Sequence, residues 1–119
     1  MPHIQLEAHL PGITGLLEYR KDTGDPIREV TQIILRGPSG LSFSERELIA
    51  ALVSHRNHCN ACSAAHDSVG NYLTGQPELL SAVKENSETA PISEKMKSLL
   101  SIAAQTQMGG LNVTPEAVQ

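Results

Sequence analysis

The residues best suited to chemistry are concentrated in one segment of the sequence, from Ser44 to His66. This segment contains both cysteines of the chain, Cys59 and Cys62, and three of its five histidines. On a helix, Cys59 and Cys62 are i, i+3 neighbours and Cys62 and His66 are i, i+4 neighbours, so the three side chains share one face. A helix start near Cys59 and a neighbouring imidazole would both favour a thiolate. The spacing indicates a redox pair or a metal site, with a pair of inert buried cysteines as the third reading.

A glutamate ahead of the cysteines is the candidate proton acceptor. Glu47 belongs to the stretch SERE, which is a capping box if Ser44 caps the helix and Glu47 reaches back to it. A second register has Ser42 as the cap and Glu45 as its partner. In that register Glu47 lies deeper in the helix, where a carboxylate against apolar surface and near sulfur can accept protons. The spacing leaves both registers open.

The remaining histidines offer a zinc site as a weaker alternative. The ligand types would suit zinc, and the set would be His55, His58, Cys59, Cys62 and His66. Ligands packed on consecutive helical turns do not easily arrange as a tetrahedron, so we expect no metal here. His3 and His9 lie in a loose N-terminal stretch, where we expect solvated surface histidines.

Composition limits the class of protein. The chain has 119 residues, 39% apolar residues, three aromatic side chains and no tryptophan, which predicts one domain over residues 1–119 with an aliphatic core between helices. Nine basic and thirteen acidic residues give a formal charge of −4 without a basic block, so we expect no nucleic-acid partner. No apolar run approaches the roughly 18 residues that cross a bilayer, and the N-terminus resembles no targeting signal. We therefore expect a soluble, cytoplasmic protein.

Helix signals dominate the first part of the chain, and strand signals are almost absent. One short helix is predicted from about Ile13 to Arg20. A second opens at Asp25 with Pro26 as its first helical residue. It carries an apolar stripe that consists of Ile27, Val30, Ile33 and Ile34.

The helix that starts at Ser42 or Ser44 should bury Leu48, Ile49, Leu52 and Val53, bend near Asn57 and restart just before or at Cys59. Gly70 and the stretch TGQP then punctuate the chain, and PELLSAVKE follows as a short helix. Ser93 caps a long helix whose inward residues are Met96, Leu99, Leu100, Ala103 and Ala104, and which ends at Gly109 and Gly110.

The C-terminus contains a helix start with little helix behind it. Thr114 is a good cap and Pro115 suits the first helical position, but a helix of so few residues is not stable alone. Either the tail is disordered, or the chain is shorter than the unit whose sequence it preserves. In the second case a partner would supply the missing packing, and we expect a homo-oligomer.

Glu47, Cys59, Cys62 and His66 together resemble a known signature. Their pattern, E…C-x-x-C-x-x-x-H, is similar to that of the alkylhydroperoxidase D-like, peroxidase-related branch of the carboxymuconolactone decarboxylase superfamily. The resemblance extends to LPGITGLLEYR, ERELIAALVSHRNHCNACSAAH and SEKMKSLLSIAAQTQMGGLNVTPEAV, which cover most of the chain. It implies an all-α helical bundle, an oligomer built from these helices, and a dithiol peroxidase active in antioxidant defence.

The resemblance also implies roles for individual residues. Cys62 and Cys59 would be the redox pair, with attack assigned to Cys62, one turn from His66, and resolution to Cys59. His66 and Glu47 would form the proton relay. Ala61 stands where relatives carry an additional relay histidine, so the relay here must use water or another group such as His58. The chain also ends at Gln119, where longer relatives continue through further helices.

Three functions stay open from the sequence. The first is a peroxidase that takes a hydroperoxide and is re-reduced by a protein or lipoyl dithiol, because no nucleotide loop or haem ligand pattern is evident and no bound cofactor is expected. The second is a thiol-disulfide oxidoreductase or redox sensor without peroxide turnover. The third is a helical oligomerisation module whose site is vestigial or metal-bound.

Overall fold

The computed structural model describes residues 3–119, and every regular element within that range is helical. This confirms the all-α prediction, whose oligomeric part stays a prediction. In the described part of the chain, no helix is long and apolar enough to cross a bilayer. The helices are α1 (Ile13–Tyr19), α2 (Lys21–Arg36), α3 (Phe43–Arg56), α4 (Asn60–Thr74), α5 (Pro77–Asn86), α6 (Glu94–Met108) and α7 (Pro115–Val118), with a 3-10 turn at Gly110–Asn112.

The chain separates into two compact units. The first ends at Gly40 and contains α1 and α2, and the second is Leu41–Gln119 with the remaining helices. The second unit contains all four residues of the predicted redox site, which are Glu47, Cys59, Cys62 and His66. The prediction of one domain over the whole chain stays a prediction.

In the first unit, α2 begins earlier than the sequence predicted. It starts at Lys21, so Pro26 lies inside the helix and not at its first position, and Asp25 is not the cap. The turn closes earlier because the carbonyl of Arg20 accepts from the N–H groups of Thr23 and Gly24, while the Arg20 guanidinium binds Asp22 at 2.7 and 2.9 Å. This ion contact holds the pKa of the Asp22 carboxyl below its usual value.

Gly24 makes the close approach of α1 and α2 possible. A β-carbon at this position would overlap the backbone of Leu17. Among residues 3–40, only Gly15 and Gly24 are buried. The two helices of this unit therefore contact each other without enclosing any large apolar side chain.

The apolar stripe predicted on α2 is present on the helix, and its side chains are exposed. Its members, Ile27, Val30, Ile33 and Ile34, are between 49% and 62% exposed. A hydrophobic stripe normally faces a core, so this surface of α2 is an unusual exposed apolar area.

The core of the second unit lies between α3, α5 and α6. Leu48 and Leu52 are buried as predicted, while Ile49 and Val53 are only half-buried. From α6, Met96 and Leu100 point inward. The whole buried set is Leu48, Ala51, Leu52, Leu80, Val83, Ala90, Met96 and Leu100.

The start of α3 shows which capping register is used. The Ser42 hydroxyl accepts from the Glu45 N–H at 3.2 Å, and the Glu45 carboxylate accepts from the Ser42 N–H at 2.7 Å. This reciprocal pair is a capping box. The second register is therefore the one adopted, and Glu47 is released from capping.

Gly70 does not punctuate the chain as predicted, because α4 continues through it to Thr74. The helix ends at Gly75, which has φ +65°, within the stretch TGQP that was predicted to interrupt the chain. Gly70 is buried where α4 meets α5, and a β-carbon there would lie 2.7 Å from Cδ2 of Leu80. Its small size serves helix packing and does not break the helix.

Both ends of α6 were predicted correctly. Ser93 caps the helix by accepting from the Met96 N–H at 3.2 Å, and Gly109 follows its end with φ +133°. Thr114 caps the single turn of α7, which contacts α6.

We expect Gly70→Val to destabilise the protein by about 1–3 kcal/mol, because overpacking a filled core forces neighbours out of place. The measurement is the free energy of unfolding in urea. Ser68→Val is the matched control, since Ser68 lies on the same helix and is exposed. In a Leu80→Ala background the cost of Gly70→Val should shrink. Equal losses for Gly70→Val and Ser68→Val would contradict the packing role.

Candidate redox site

The cysteines follow a tight connection between α3 and α4. Two backbone hydrogen bonds close the end of α3: the His58 N–H donates to the His55 carbonyl at 3.0 Å, and the Cys59 N–H donates to the Ser54 carbonyl at 3.0 Å. His58 has φ +55°. This is the Schellman pattern, in which the residue after the helix cap adopts left-handed geometry. The bend lies near Asn57, as predicted: Asn57 caps α3 with φ −78°, and His58 is the left-handed residue.

Cys59 belongs to both helices at once. It completes the end of α3, and it is the N-cap of α4, where its Sγ accepts from the Cys62 N–H at 3.3 Å. The predicted restart at Cys59 is therefore confirmed, although Cys59 itself stands just before the first helical residue. The sulfur therefore lies at the N-terminus of α4, near the positive end of the helix dipole.

Cys59 and Cys62 form a disulfide bond. The two residues differ in exposure, since Cys62 is exposed and Cys59 is half-buried. A molecule arriving from solvent therefore meets Cys62 more readily. The half-buried sulfur is the one held at the helix start.

Glu47 and His66 are joined by a hydrogen bond between α3 and α4. His66 Nδ1 and Glu47 Oε2 are 2.8 Å apart. Only 1% of the Glu47 side chain is exposed, against 26% for His66. An ionised carboxylate can only accept a hydrogen bond, so Nδ1 of His66 carries a proton when Glu47 is ionised. In the neutral ring, Nε2 is then the nitrogen without a proton.

The two helices place these groups in one region. Cys62 and His66 lie four residues apart on the continuous helix α4, which puts their side chains on one face. Glu47 reaches the same face from α3, which packs against α4. A sulfur pair next to a buried imidazole–carboxylate pair can combine thiol chemistry with proton transfer.

A salt bridge lies next to His66 on the same turn of α4. Asp67, next to His66 in sequence, contacts Lys84 of α5 at 2.5 Å. Both side chains are partly buried, which makes the contact less screened than a surface ion pair. It joins α4 to α5 one residue after His66.

The other histidines differ from His66 in their exposure. His55 and His58 are exposed, as are His3 and His9. Within residues 3–119, no group of three or more histidine, cysteine or acidic side chains is placed to hold a metal ion. His58 contributes its backbone conformation to the connection, and its ring faces a solvent-accessible region.

Two residues, one on α3 and one on α6, make contacts that the sequence did not predict. Arg46 is only 8% exposed, and its guanidinium lies 5.2 Å from the centre of the Phe43 ring. Gln107 of α6 hydrogen-bonds to the connection between α3 and α4 from a position 50 residues away in sequence. No local pattern marks Gln107, because its contact depends on how α6 packs against α3.

Comparison with known proteins gives structural relatives only. No family model matches the chain, and no curated protein sequence matches it. An uncharacterized peroxidase-related protein from Silicibacter sp. TM1040 has 25% identity and a TM-score of 0.79, covering 87% of this chain and 56% of its own.

A second solved structure is described as the alkylhydroperoxidase AhpD core, an uncharacterized peroxidase-related protein from Ralstonia eutropha JMP134. It is 22% identical with a TM-score of 0.81, and the match covers 89% of this chain and 56% of that one. This chain thus spans little more than half the length of either structure. It has the fold of the alkylhydroperoxidase AhpD core and of peroxidase-related proteins, as the sequence resemblance predicted.

Proposed function

We propose that this protein is a dithiol peroxidase that reduces hydroperoxides in antioxidant defence. One arrangement carries the proposal: the Cys59–Cys62 disulfide opens α4, and the next turn presents His66 hydrogen-bonded to buried Glu47. The peroxidase-related description of proteins with the same fold supports it. The chemistry requires a thiolate, a nearby second thiol and a proton donor, and these residues provide all three.

In the first step, the Cys62 thiolate attacks the terminal oxygen of the hydroperoxide. A sulfur–oxygen bond forms as the oxygen–oxygen bond breaks, and the departing alkoxide or hydroxide takes a proton from the relay. We assign this attack to Cys62 because it is exposed and lies one turn from His66. His66 and Glu47 are the relay, with water or His58 in the place that Ala61 leaves empty.

In the second step, the Cys59 thiolate attacks the sulfur of the Cys62 sulfenic acid. The new bond is the disulfide, and the hydroxyl group leaves as water after protonation. The N–H of Cys62 supports the anionic form of Cys59 in this role. An external protein or lipoyl dithiol then reduces the disulfide by two exchange steps and is itself oxidised to a disulfide.

Two other functions use the same residues differently. A thiol-disulfide oxidoreductase or sensor would cycle Cys59 and Cys62 without turning over peroxide. A helical oligomerisation module would retain a vestigial pair. Peroxide-dependent loss of titratable thiols separates the module from the other two, and sustained turnover with a dithiol reductant separates the peroxidase from the sensor.

We expect Cys62→Ser to abolish reduction of an organic hydroperoxide, because the attacking sulfur is lost. Cys59→Ser should still consume about one equivalent of peroxide and then stop with a sulfenic acid, since no thiol resolves it. The assay is steady-state turnover with a dihydrolipoyl donor, together with mass spectrometry of the oxidised protein. A wild-type protein whose thiols survive excess peroxide would contradict the proposal.

Glu47→Gln should lower turnover by about 10²-fold, because a positioned proton-transfer group contributes that much or more. The variant should fold, since the amide is the same size and can still contact His66. Glu45→Gln is the matched control from the same helix: glutamine also serves in a capping box, so its turnover should stay near wild type. Equal activity of the two variants would remove Glu47 from the relay.

The exposed apolar stripe of α2 supports the predicted homo-oligomer. The unit that ends at Gly40 buries only two glycines among its described residues, so its large apolar side chains need another surface to cover them. We infer that a second copy of the chain provides it. Every copy carries the same stripe, and a twofold arrangement covers two stripes with one interface.

Ile33→Glu should shift the protein toward monomers, because it places a charge in the centre of the stripe. Gln32→Glu adds the same charge to a neighbouring exposed position of α2 and should leave the assembly intact. Sedimentation velocity at micromolar concentration measures both. A wild-type protein that sediments as a monomer would refute the assembly.

A further inference from the structure

The amide of Gln107 joins the last turn of α6 to the connection that carries Cys59. Its Oε1 accepts from Arg56 Nε at 3.1 Å, and its Nε2 donates to Asn57 Oδ1 at 2.9 Å. Arg56 is the last residue of α3 and Asn57 is its cap. One side chain therefore binds two consecutive residues at the point where the chain turns.

The backbone conformation of this turn is unfavourable for one of the residues that form it. His58 follows Asn57 directly and has φ +55°, a conformation that is unfavourable for a residue with a β-carbon. Glycine is the usual residue at this place in a Schellman motif. Besides the two backbone hydrogen bonds of the motif, the Gln107 amide adds two contacts to the side chains of Arg56 and Asn57, which precede His58.

The geometry of this turn decides where Cys59 lies. Its N–H is fixed to the Ser54 carbonyl of α3, and its sulfur is fixed by the Cys62 N–H of α4. If the turn relaxes, the Cys59 sulfur spends less time at the start of α4. The rate at which it can attack a sulfur bound at Cys62 then falls, because that rate depends on how well the two groups are held together.

We propose that Gln107 is a positioning residue that sets the rate of disulfide closure between Cys59 and Cys62. It touches neither sulfur and acts through Arg56, Asn57 and the left-handed His58. The inference rests on the proposed redox role of the cysteine pair, but it does not require that the oxidant be a peroxide.

The test uses the full-length reduced protein and one equivalent of dithionitrobenzoate. One cysteine thiolate attacks the reagent's sulfur–sulfur bond, giving a mixed disulfide and one thionitrobenzoate ion. The other cysteine thiolate then attacks the protein sulfur of that mixed disulfide. The Cys59–Cys62 bond forms, and a second thionitrobenzoate leaves with the electron pair, so stopped-flow absorbance separates the two steps.

We expect Gln107→Ala to slow the second, intramolecular release by about tenfold, consistent with the loss of two hydrogen bonds that hold the turn. The first release depends on access to an exposed thiol and should change by less than about twofold. Gln107→Glu should be slowed less, because its carboxylate still accepts from Arg56 but cannot donate to Asn57. It is also the variant that keeps the test valid if Gln107→Ala folds poorly.

Gln105→Ala is the matched control, since Gln105 lies on the same helix and donates to Ser101 within α6. It should close the disulfide at the wild-type rate. Asn57→Ala should slow closure in the wild-type background and add little in the Gln107→Ala background, because both changes remove the same bond.

The proposal is overturned if folded Gln107→Ala closes the disulfide as fast as Gln105→Ala, even where its melting temperature is lower, because Gln107 would then contribute only to stability. Since no peroxide is used, this outcome is distinct from failure of the peroxidase proposal. A protein that closes its disulfide slowly in Gln107→Ala and yet never turns over peroxide would keep the positioning role and lose the peroxidase.

Discussion

The hydrogen bond between buried Glu47 and His66 is the contact on which the arrangement of α3 and α4 depends. A carboxylate that is 1% exposed is unfavourable unless a polar partner meets it. His66 can meet it only if α4 lies against α3 in one rotation and one register. That register also brings the start of α4, with Cys59 and Cys62, back to the end of α3, so the packing of the pair and the place of the sulfurs are set together.

The short connection adds a second constraint. Because Cys59 ends one Schellman motif and caps the next helix, a shift of a single residue would remove backbone hydrogen bonds at both ends. The sequence predicts a bend there but does not show which residue adopts the left-handed conformation. The bend lies near Asn57, as predicted, but its left-handed residue is His58, and a glutamine of α6 contacts the side chain of Asn57. A local pattern cannot show a contact made across 50 residues.

Helix ends with side-chain caps were the most predictable features, as at Ser93 and at Ser42 with Glu45, because the signal lies within one turn. The capping register at α3 could not be decided from the sequence alone, since Ser44 and Glu47 fit the capping-box pattern as well as Ser42 and Glu45 do. Two helix boundaries were predicted wrongly. Pro26 and Gly70 were taken as boundaries, but an earlier turn at Arg20 allows proline inside α2, and close packing on Leu80 requires glycine inside α4. For Gly70 a tertiary contact overrode the local preference, whereas for Pro26 an upstream turn did so.

The cost of the buried pair is itself informative about function. Polar groups in a helix interface can often be replaced by apolar residues of similar size without loss of stability, so a helix pair that only had to pack would not need Glu47 and His66. The core next to them already uses leucine, alanine and valine for that purpose. A carboxylate and an imidazole in this position are useful if protons must be moved one turn from Cys62. Because packing alone does not require these two polar residues, their presence favours a chemical role for this face of α4 over a purely structural one.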